Sequence, residues 1–205
     1  MTLRQYYKER GLDPKDSCVI QNGTDRESFF PIKDIEVRGR EEPLRIITHH
    51  WSSNIAKGFK IYDKLDGFCK RRPQIANFTF LGNSPDSLLV SCNKIAPKPY
   101  REIPPYLQSK DLYVTATQFE SGGCHIVEGM SCGLLPMVRK GGGGTEEYSK
   151  GYGFMYSDFQ ELEDHIRRLY EDYDLFLEMR DNIRDNYTYG SREMCKEYMK
   201  VFCDE

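Results

Sequence analysis

The chain has 205 residues, which is enough for one domain with its own hydrophobic core. Charged residues make up 30% of it, the net charge is −3 and the isoelectric point is near 5.9, so the composition does not favour nucleic acid or an anionic membrane as a partner. The sequence lacks a run of about 18 apolar residues, so it predicts no transmembrane helix.

Cysteine usage and the first residues predict the compartment. The seven cysteines are odd in number and none has CxxC spacing, whereas a secreted disulfide framework is normally even. The N-terminal stretch "MTLRQYYKERG" is polar and lacks the apolar core of a signal peptide. We therefore predict reduced thiols and a cytoplasmic location, with peripheral attachment at the inner face of a membrane left open.

The first 83 residues predict the start of an alternating α/β pattern. An N-terminal helix, a short strand in "SCVIQNGTD" (17–25) and the polar connector "PIKDIEVRGREEP" (31–43) occupy residues 1–43. "LRIITHHW" (44–51) and "ANFTFLGN" (76–83) are typical of buried strands. Between them we expect a helix over about 55–71, with apolar residues at helical spacing, namely Phe59, Tyr62, Leu65 and Phe68.

The rest of the chain continues the alternation and ends in helices. Further strands are predicted in "SLLVSC" (87–92), "DLYVTAT" (111–117), "LLPMVRK" (134–140) and "GYGFMYS" (151–157). Further helices are predicted over 104–110, 125–133, 159–170 (with Ser157 and Gln160 as a capping box), 175–186 and 191–202. The predicted fold is a Rossmann-like, doubly wound, mostly parallel sheet: a single domain over 1–205, with an α/β core at 44–157 and a helical tail at 158–205.

The stretch "FESGGCHIVEGMSCG" (119–133) is the main candidate site. It follows a predicted strand, and ligands of open α/β sheets bind at the carboxyl ends of the strands. Gly122 and Gly123 precede a helix N-terminus, which suits a phosphate, and the flanking Glu120 and Glu128 suit the vicinal hydroxyls of a ribose or sugar. The alternative from spacing alone is a glycine-containing loop with solvated glutamates.

Cys124 and His125 also permit metal or thiol chemistry. Zinc needs three or four ligands at suitable spacing, and no other His or Cys cluster lies nearby in the sequence. A catalytic cysteine needs an oriented base, and His125 is its neighbour in sequence on a helix. Hydrogen bonding of His125 to a ligand is therefore the preferred use of this residue.

Two other strand ends carry candidate ligand-binding segments. In "HHWSSNIAKG" (49–58), Lys57 and the cap-type residues Ser52, Ser53 and Asn54 can hold a diphosphate, although an ordinary capped helix has the same pattern. "KGGGGTEEY" (140–148) is either a mobile loop or a loop at the mouth of the cleft, with Glu146 at a helix start.

Taken together, these segments resemble a known enzyme family. "ESGGCHIVEGMSCGLLPMV" resembles the E-x7-E signature of retaining, family-4-type glycosyltransferases, and "VIQNGTDRESFFP", "HHWSSNIAKG" and "GGGGTEEY" fall in the family's order and spacing. The resemblance covers about residues 19–186. It implies the GT-B fold, in which two Rossmann-like domains enclose the active site, and this chain resembles only the C-terminal, donor-binding half.

The resemblance implies a role for each candidate residue. Glu120 and Lys57 would be catalytic, with Glu120 on the donor sugar and Lys57 on the diphosphate leaving group. The remaining candidates would bind the nucleotide-sugar: Glu128 at the ribose, the residues near Cys92 at the base, and Gly122, Gly123, Cys124, His125, Ser52, Ser53 and Asn54 around the sugar and phosphates. This chain departs from the family at Ser52, where an Arg is usual, and at Gly123, where an aromatic residue is usual.

The implied activity is transfer of a hexosyl-type sugar from an NDP-sugar to a hydroxyl acceptor with retention of anomeric configuration. The acceptor would be a sugar, glycan or lipid-linked molecule in polysaccharide or glycoconjugate biosynthesis. The resemblance implies no metal or other cofactor and no nucleic acid partner. The N-terminal GT-B domain is missing from this chain, which would therefore be weakly active alone. The alternatives are a sugar-nucleotide epimerase of the same architecture and a non-catalytic nucleotide-sugar-binding domain.

Overall fold

The computed structural model describes residues 7–11, 18–32 and 37–203. The strands are β1 (Leu44–His50), β2 (Ala76–Gly82), β3 (Asn93–Ile95), β4 (Leu112–Thr115), β5 (Leu135–Arg139) and β6 (Phe154–Tyr156). The helices are α1 (Phe59–Arg71), α2 (Pro104–Gln108), α3 (Cys124–Ser131), α4 (Gly144–Ser149), α5 (Phe159–Glu171), α6 (Tyr173–Asn186) and α7 (Ser191–Cys203). In the described part of the chain, no helix has the length and apolar character needed to cross a membrane.

The six strands form one parallel sheet in the order β3-β2-β1-β4-β5-β6. This is the strand order of a doubly wound dinucleotide-binding fold, so the predicted Rossmann-like class is confirmed. The chain runs outward from β1 in one direction and from β4 in the other. The crevice between the ends of β1 and β4 is therefore the topological switch point, where ligands of such folds bind.

Helices cover both faces of the sheet. Right-handed crossovers in opposite directions place α1 and α3 on opposite faces, and α5 packs against α1 while α4 packs against α3. The central strands are consequently buried on both sides: every residue of β4 is buried, and so is every residue of β1 except Arg45. The predicted apolar face of α1 is confirmed, because Phe59, Tyr62, Leu65 and Phe68 are all buried in the core.

The helix predicted over 55–71 is divided in two by Gly58. Residues Ile55–Lys57 form a separate 3₁₀ turn, and Gly58 has a left-handed φ of 83° before α1 begins. A Cβ on Gly58 would lie 2.1 Å from the carbonyl oxygen of Ala116, which directly follows β4. The backbone amide of Gln118 also donates to Ala56 O at 2.9 Å. Lys57 is thus held on a short turn that is attached to the end of β4.

Two predicted strands are absent from the described residues. Residues 18–25 of "SCVIQNGTD" form no strand, and Val19 is 68% exposed, so its β-branched side chain reflects no sheet contact. Residues 87–92 form turns and bends around Leu89, which has a φ of 58°, and the strand begins only at Asn93. A short apolar run does not by itself determine pairing, because an edge strand takes its register from its neighbour.

The ends of the chain also differ in detail from the prediction. Of the predicted N-terminal helix, residues 7–9 are helical and the remainder, together with residues 33–36 of the connector, lies outside the described residues. The capping box is shifted by one residue: Asp158 accepts from the Glu161 amide, and the Glu161 carboxylate accepts from the Ser157 amide. Asp is a good N-cap and Glu three residues later completes the pattern, so Ser157 and Gln160 were the wrong pair.

The connector before β1 is attached to the helical tail by a buried arginine. The Arg38 guanidinium donates to Glu42 O at 2.8 Å and to Leu169 O at 3.1 Å. It lies 4.7 Å from the ring centroid of Phe176 and 5.0 Å from that of Tyr173, which is cation–π geometry. Burial lowers the Arg38 pKa from its ordinary value, and the aromatic rings and carbonyl groups offset that cost.

A pair of glycine substitutions tests the contact between the 3₁₀ turn and β4. We expect Gly58→Ala to lower the unfolding free energy by about 2 kcal/mol and the melting temperature by about 4 to 8 °C, because alanine is strained at positive φ and its Cβ meets backbone. Gly67→Ala is the matched control within α1. Its Cβ would meet only the flexible end of Arg71, so it is expected to be neutral or stabilising by up to about 1 kcal/mol. Equal melting temperatures for the two variants by circular dichroism would contradict the contact.

Candidate functional site

A cavity of about 340 Å³ opens at the switch point, where the ends of β1 and β4 separate. Its polar side is formed by Lys57, Glu120, Glu128 and His125, all of which follow one of these two strands in sequence. The two segments belong to different crossovers and lie far apart in the chain. The fold therefore brings together the two segments that the sequence nominated separately.

Lys57 and Glu120 form an ion pair across the cavity. The Nζ of Lys57 lies 2.7 Å from Oε2 of Glu120, and the side chains are 23% and 18% exposed. This partial burial weakens the screening by water, so the pair holds both side chains in place more firmly than a surface ion pair would. A cation and a carboxylate are thereby presented side by side to any ligand in the cavity.

The glycine run 141–144 fixes the backbone of Glu120. The Glu120 amide donates to Gly142 O at 3.2 Å, and the Gly144 amide donates to Glu120 O at 2.7 Å. Gly143 has a φ of 71°, and a Cβ there would lie 2.7 Å from Glu120 O. The Glu146 carboxylate accepts from the Gly141 amide at 2.7 Å and closes this loop. The sequence alone is compatible with either a mobile loop or a loop at the mouth of the cleft, with Glu146 at a helix start. The run thus continues the sheet-like pairing of Glu120 beyond the ends of β4 and β5.

Gly122 and Gly123 lie close to other side chains at the N-terminus of α3. A Cβ on Gly122 would lie 2.4 Å from Asn22 Nδ2, and one on Gly123 would lie 2.7 Å from Thr145 Cγ2. The N-cap residue, Gly123, supplies no side chain to the first turn of the helix. The Cys124 amide donates to Gly122 O at 2.7 Å, so this particular N–H is engaged within the turn. The positive end of the α3 dipole faces the cavity side of the loop.

Glu128 is buried, 8% exposed, one turn inside α3. Its Oε2 lies 2.6 Å from Nε2 of His49, the second-last residue of β1. His49 Nδ1 in turn lies 2.9 Å from the hydroxyl of Tyr113 on β4. The three side chains form a continuous hydrogen-bonded chain from the sheet to the cavity. Such a partner removes most of the cost of burying a carboxylate.

Two further histidines line the cavity in neutral form. Burial lowers the pKa of His125 well below its usual value, with the neighbouring His49 as a further cause. Burial also lowers the pKa of His50 well below the usual range, followed by the effect of His125. His125 Nε2 lies 3.0 Å from Thr115 Oγ1, and His50 Nε2 lies 2.6 Å from Tyr62 OH. These rings therefore act as neutral hydrogen-bonding groups, and Lys57 provides cationic charge on this wall.

Cys124 lines the cavity as a thiol. Burial and the nearby carboxylates of Glu128 and Glu120 raise its pKa above the ordinary value. Its sulfur accepts a long contact of 3.6 Å from Asn22 Nδ2. Within the described ranges, no three His, Cys, Asp or Glu side chains are grouped so that they could hold a metal ion.

The structure places the other predicted residues around and outside this cavity. Ser52 lines it, and its Oγ accepts from the Asn54 amide at 3.1 Å. Asn54 itself caps the 3₁₀ turn by accepting from the Ala56 amide at 2.9 Å, and Ser53 is exposed. Cys92 packs against the core, with its sulfur 3.7 Å from Leu89 O. Ser53, Asn54 and Cys92 are not among the residues that line the cavity.

Sequence reasoning assigned no role to several residues that line the cavity. His49 and His50 end β1, and two consecutive histidines at the carboxyl end of a buried strand were the signal that could have nominated them. The segment from the end of β2 to the start of α2 also lines the cavity. It contributes Leu81, Pro97 and Ile103 as apolar contacts and Lys98 as a charged one. Trp51 stands at the rim and is 75% exposed. The positions of these residues depend on where β2 and β3 end. Because the strand predicted at 87–92 was wrong, the sequence did not indicate those ends.

Comparison with known proteins bears on the fold and on part of the chain. Residues 87–188, just under half of the chain, match the family model described as "Glycosyl transferases group 1". None of the curated proteins matches the sequence closely enough to count as a relative.

Solved structures share this fold at low sequence identity. The Anabaena protein Alr3699/HepE in complex with UDP superposes with a TM-score of 0.78 at 18% identity, over 98% of this chain and 61% of that one. Sucrose-phosphate synthase from Thermosynechococcus elongatus gives 0.73 at 16% identity, over 98% and 57%. The C-terminal domain of LpcC from Francisella tularensis, a glycosyl transferase group 1 family protein, gives 0.60 at 18% identity, over 80% and 95%.

The chain spans only part of two of these proteins and nearly all of the third. The chain spans 61% of the HepE chain and 57% of the sucrose-phosphate synthase chain, but 80% of it aligns with nearly the whole LpcC domain. A fold match at this identity establishes architecture alone. The chain thus has the Rossmann-like fold of the C-terminal domains of GT-B glycosyltransferases, and residues 87–188 match the group 1 glycosyltransferase model.

Proposed function

We propose that this chain is the nucleotide-sugar-binding domain of a group 1 glycosyltransferase that transfers a hexosyl-type sugar to a hydroxyl acceptor with retention. The observation that carries the proposal is the presence of Lys57, Glu120 and Glu128 in one cavity at the switch point of the sheet. The match of residues 87–188 to the group 1 model supports it.

The cavity provides separate places for the parts of an NDP-sugar. Glu128 accepts hydrogen bonds from the ribose hydroxyls, because a carboxylate can accept from two neighbouring hydroxyl groups. The wall formed by Leu81, Pro97 and Ile103 gives the base an apolar surface. Lys57 contacts the diphosphate. Glu120 contacts hydroxyls of the donor sugar, so the sugar lies on the α3 side of the phosphates.

The chemistry required of this half is stabilisation of negative charge on the leaving group. When the bond between the anomeric carbon and the phosphate oxygen breaks, charge grows on the diphosphate and the sugar acquires oxocarbenium character. Lys57 and the N-terminus of α3 stabilise that charge electrostatically in a partly buried site. The acceptor hydroxyl gains the sugar and gives up its proton, and the nucleoside diphosphate leaves.

A second, N-terminal domain completes the site in this proposal. The chain covers only part of the length of HepE and sucrose-phosphate synthase, and the rim residue Trp51 faces outward. That domain supplies the sugar, glycan or lipid-linked acceptor site, so the present chain binds the donor and turns it over weakly. If the domain joined to its partner domain released no nucleoside diphosphate with any acceptor, the non-catalytic alternative would be correct.

A donor panel tests nucleotide binding and the role of Glu128. We expect one of UDP, GDP, ADP or dTDP and its sugar conjugates to raise the melting temperature of the wild-type chain, because ligands that bind only the native state stabilise it. UDP is the first to test, since it is the nucleotide in the HepE structure. Glu128→Gln should weaken binding by about 10- to 100-fold, since hydrogen bonds to a charged group are worth about 1.5–3 kcal/mol.

The matched control for Glu128 is Glu178→Gln, an exposed glutamate on α6. Its affinity in isothermal titration calorimetry should equal that of the wild type. Wild-type affinity in Glu128→Gln would show that Glu128 does not contact the nucleotide.

Lys57→Ala tests the diphosphate contact. We expect the variant to bind a nucleoside diphosphate about 10-fold or more weakly and to lose part of the salt dependence of binding, because a cation at the phosphates has been removed. Affinity for the corresponding nucleoside should change little. Lys60→Ala, which removes an exposed lysine from α1, is the control and should behave as wild type. Equal losses for nucleoside and diphosphate in Lys57→Ala would place Lys57 away from the phosphates.

Chelation tests the proposal that no metal takes part in donor binding. Lys57 supplies positive charge to the diphosphate, so we expect the affinity for the best nucleoside diphosphate to be the same in EDTA and in Mg²⁺ within about 2-fold. The measurement is calorimetric titration of one protein preparation under both conditions. A 10-fold or greater gain in Mg²⁺ would show that a divalent cation bridges the phosphates in this site.

A further inference from the structure

Glu128 has a hydrogen-bonding partner at only one side of its carboxylate among the described residues. Oε2 lies 2.6 Å from His49 Nε2, and the side chain also lines the cavity. The exposed fractions of the His49 and Glu128 side chains are 8% and 11%, so water screens this contact poorly. Because Oε2 is held in this way, Oε1 of Glu128 has a fixed position from which it can accept a hydrogen bond from a ligand.

Tyr113 and Glu128 contact the two ring nitrogens of His49. The Tyr113 hydroxyl oxygen accepts from the His49 amide at 3.2 Å. The acceptors within reach of its single proton include His49 Nδ1 at 2.9 Å and His49 O at 3.4 Å, and the shorter distance favours Nδ1. With Nδ1 as an acceptor, a neutral imidazole carries its proton on Nε2 and donates it to Glu128.

The phenol remains protonated under all physiological conditions. Burial raises the pKa of Tyr113 well above its usual value, followed by the effect of the buried Tyr62. Tyr113 therefore keeps its proton, which it can donate to His49 Nδ1.

Close packing holds Tyr113 itself in place. A Cβ on Gly129, the residue after Glu128, would lie 2.5 Å from Cδ2 of Tyr113. The helix and the strand approach each other this closely only because Gly129 has no side chain. Residue Tyr113 also pairs with Ile47 across β4 and β1, which fixes its distance from His49. The phenol thus has little freedom to move away from the imidazole.

We propose that His49, oriented by Tyr113, is a positioning residue that fixes the Glu128 carboxylate in the direction required by the ribose hydroxyls of the donor. The inference rests on the proposed function, since it assigns Glu128 to the ribose. A free glutamate side chain loses rotamer entropy when a ligand orders it. With the carboxylate already ordered, the ligand does not bear that cost.

The test compares ligands that differ only in the ribose hydroxyls. UDP, GDP and ADP and their 2′,3′-dideoxy analogues are titrated into the full 205-residue chain by calorimetry. We expect the wild type to prefer the best ribonucleotide over its dideoxy analogue by about 10- to 100-fold. His49→Leu should reduce this preference to less than about 3-fold, while the affinity for the dideoxy analogue falls by no more than about 3-fold.

Two conservative variants separate positioning from folding. His49→Gln retains an amide donor near the former Nε2, so it should restore most of the ribose preference. Tyr113→Phe should lower the preference to an intermediate value, because one of the two hydrogen bonds that orient the imidazole ring is lost. Both keep the test valid if His49→Leu fails to fold. His165→Leu, a histidine on α5 that stacks on Phe154, is the control and should leave both affinities unchanged.

The outcomes distinguish this inference from the proposed function. Binding of none of the nucleotides by the wild type would overturn the proposed function. Equal binding of ribo- and dideoxynucleotides by the wild type would remove the ribose role of Glu128 and the inference with it. A full ribose preference in folded His49→Leu, or in folded Tyr113→Phe, would overturn the positioning role alone.

Discussion

The ion pair between Lys57 and Glu120 joins the two halves of the doubly wound sheet at the point where they separate. One partner follows β1 and the other follows β4, and their charged atoms lie 2.7 Å apart. Neither side chain could reach the other if the short turn at Ile55–Lys57 were displaced by a single turn of helix. The contact of Gly58 with Ala116 and the bond from Gln118 to Ala56 exclude such a displacement. The polar groups of the cavity are therefore set by backbone contacts between two crossovers.

Much of the architecture could be predicted because it depends on local patterns. Buried parallel strands such as β2 and β5 are rich in apolar residues, and α1 carries its apolar residues at helical spacing. The residues after those strands then fall at one edge of the sheet by topology. This is why Glu120, Glu128 and Lys57 could be nominated from sequence and are found together. Their chemical roles remain predictions until ligands are tested.

The features that could not be predicted depend on contacts between distant segments. The strand at 93–95 pairs with β2, and the apolar run before it is a turn, because register at a sheet edge is decided by the neighbouring strand. His49 looks like an ordinary strand residue, and only its distances to Tyr113 and Glu128 show that it links the core to the cavity. Likewise, the glycine run was ambiguous between a mobile loop and a rim loop, whereas the structure shows it paired with the Glu120 backbone.

The pairing of Glu120 with Gly143 determines which segments would have to be moved together into another protein. In the sequence, the Glu120 loop (residues 118–125) is a single continuous segment. Here half of its backbone geometry is held by Gly142, Gly143 and Gly144, which follow a different strand. A graft of residues 118–125 alone would separate the carboxylate from the backbone that orients it. The transferable unit is the two loops together, so sequence changes in them are expected to be inherited as a pair.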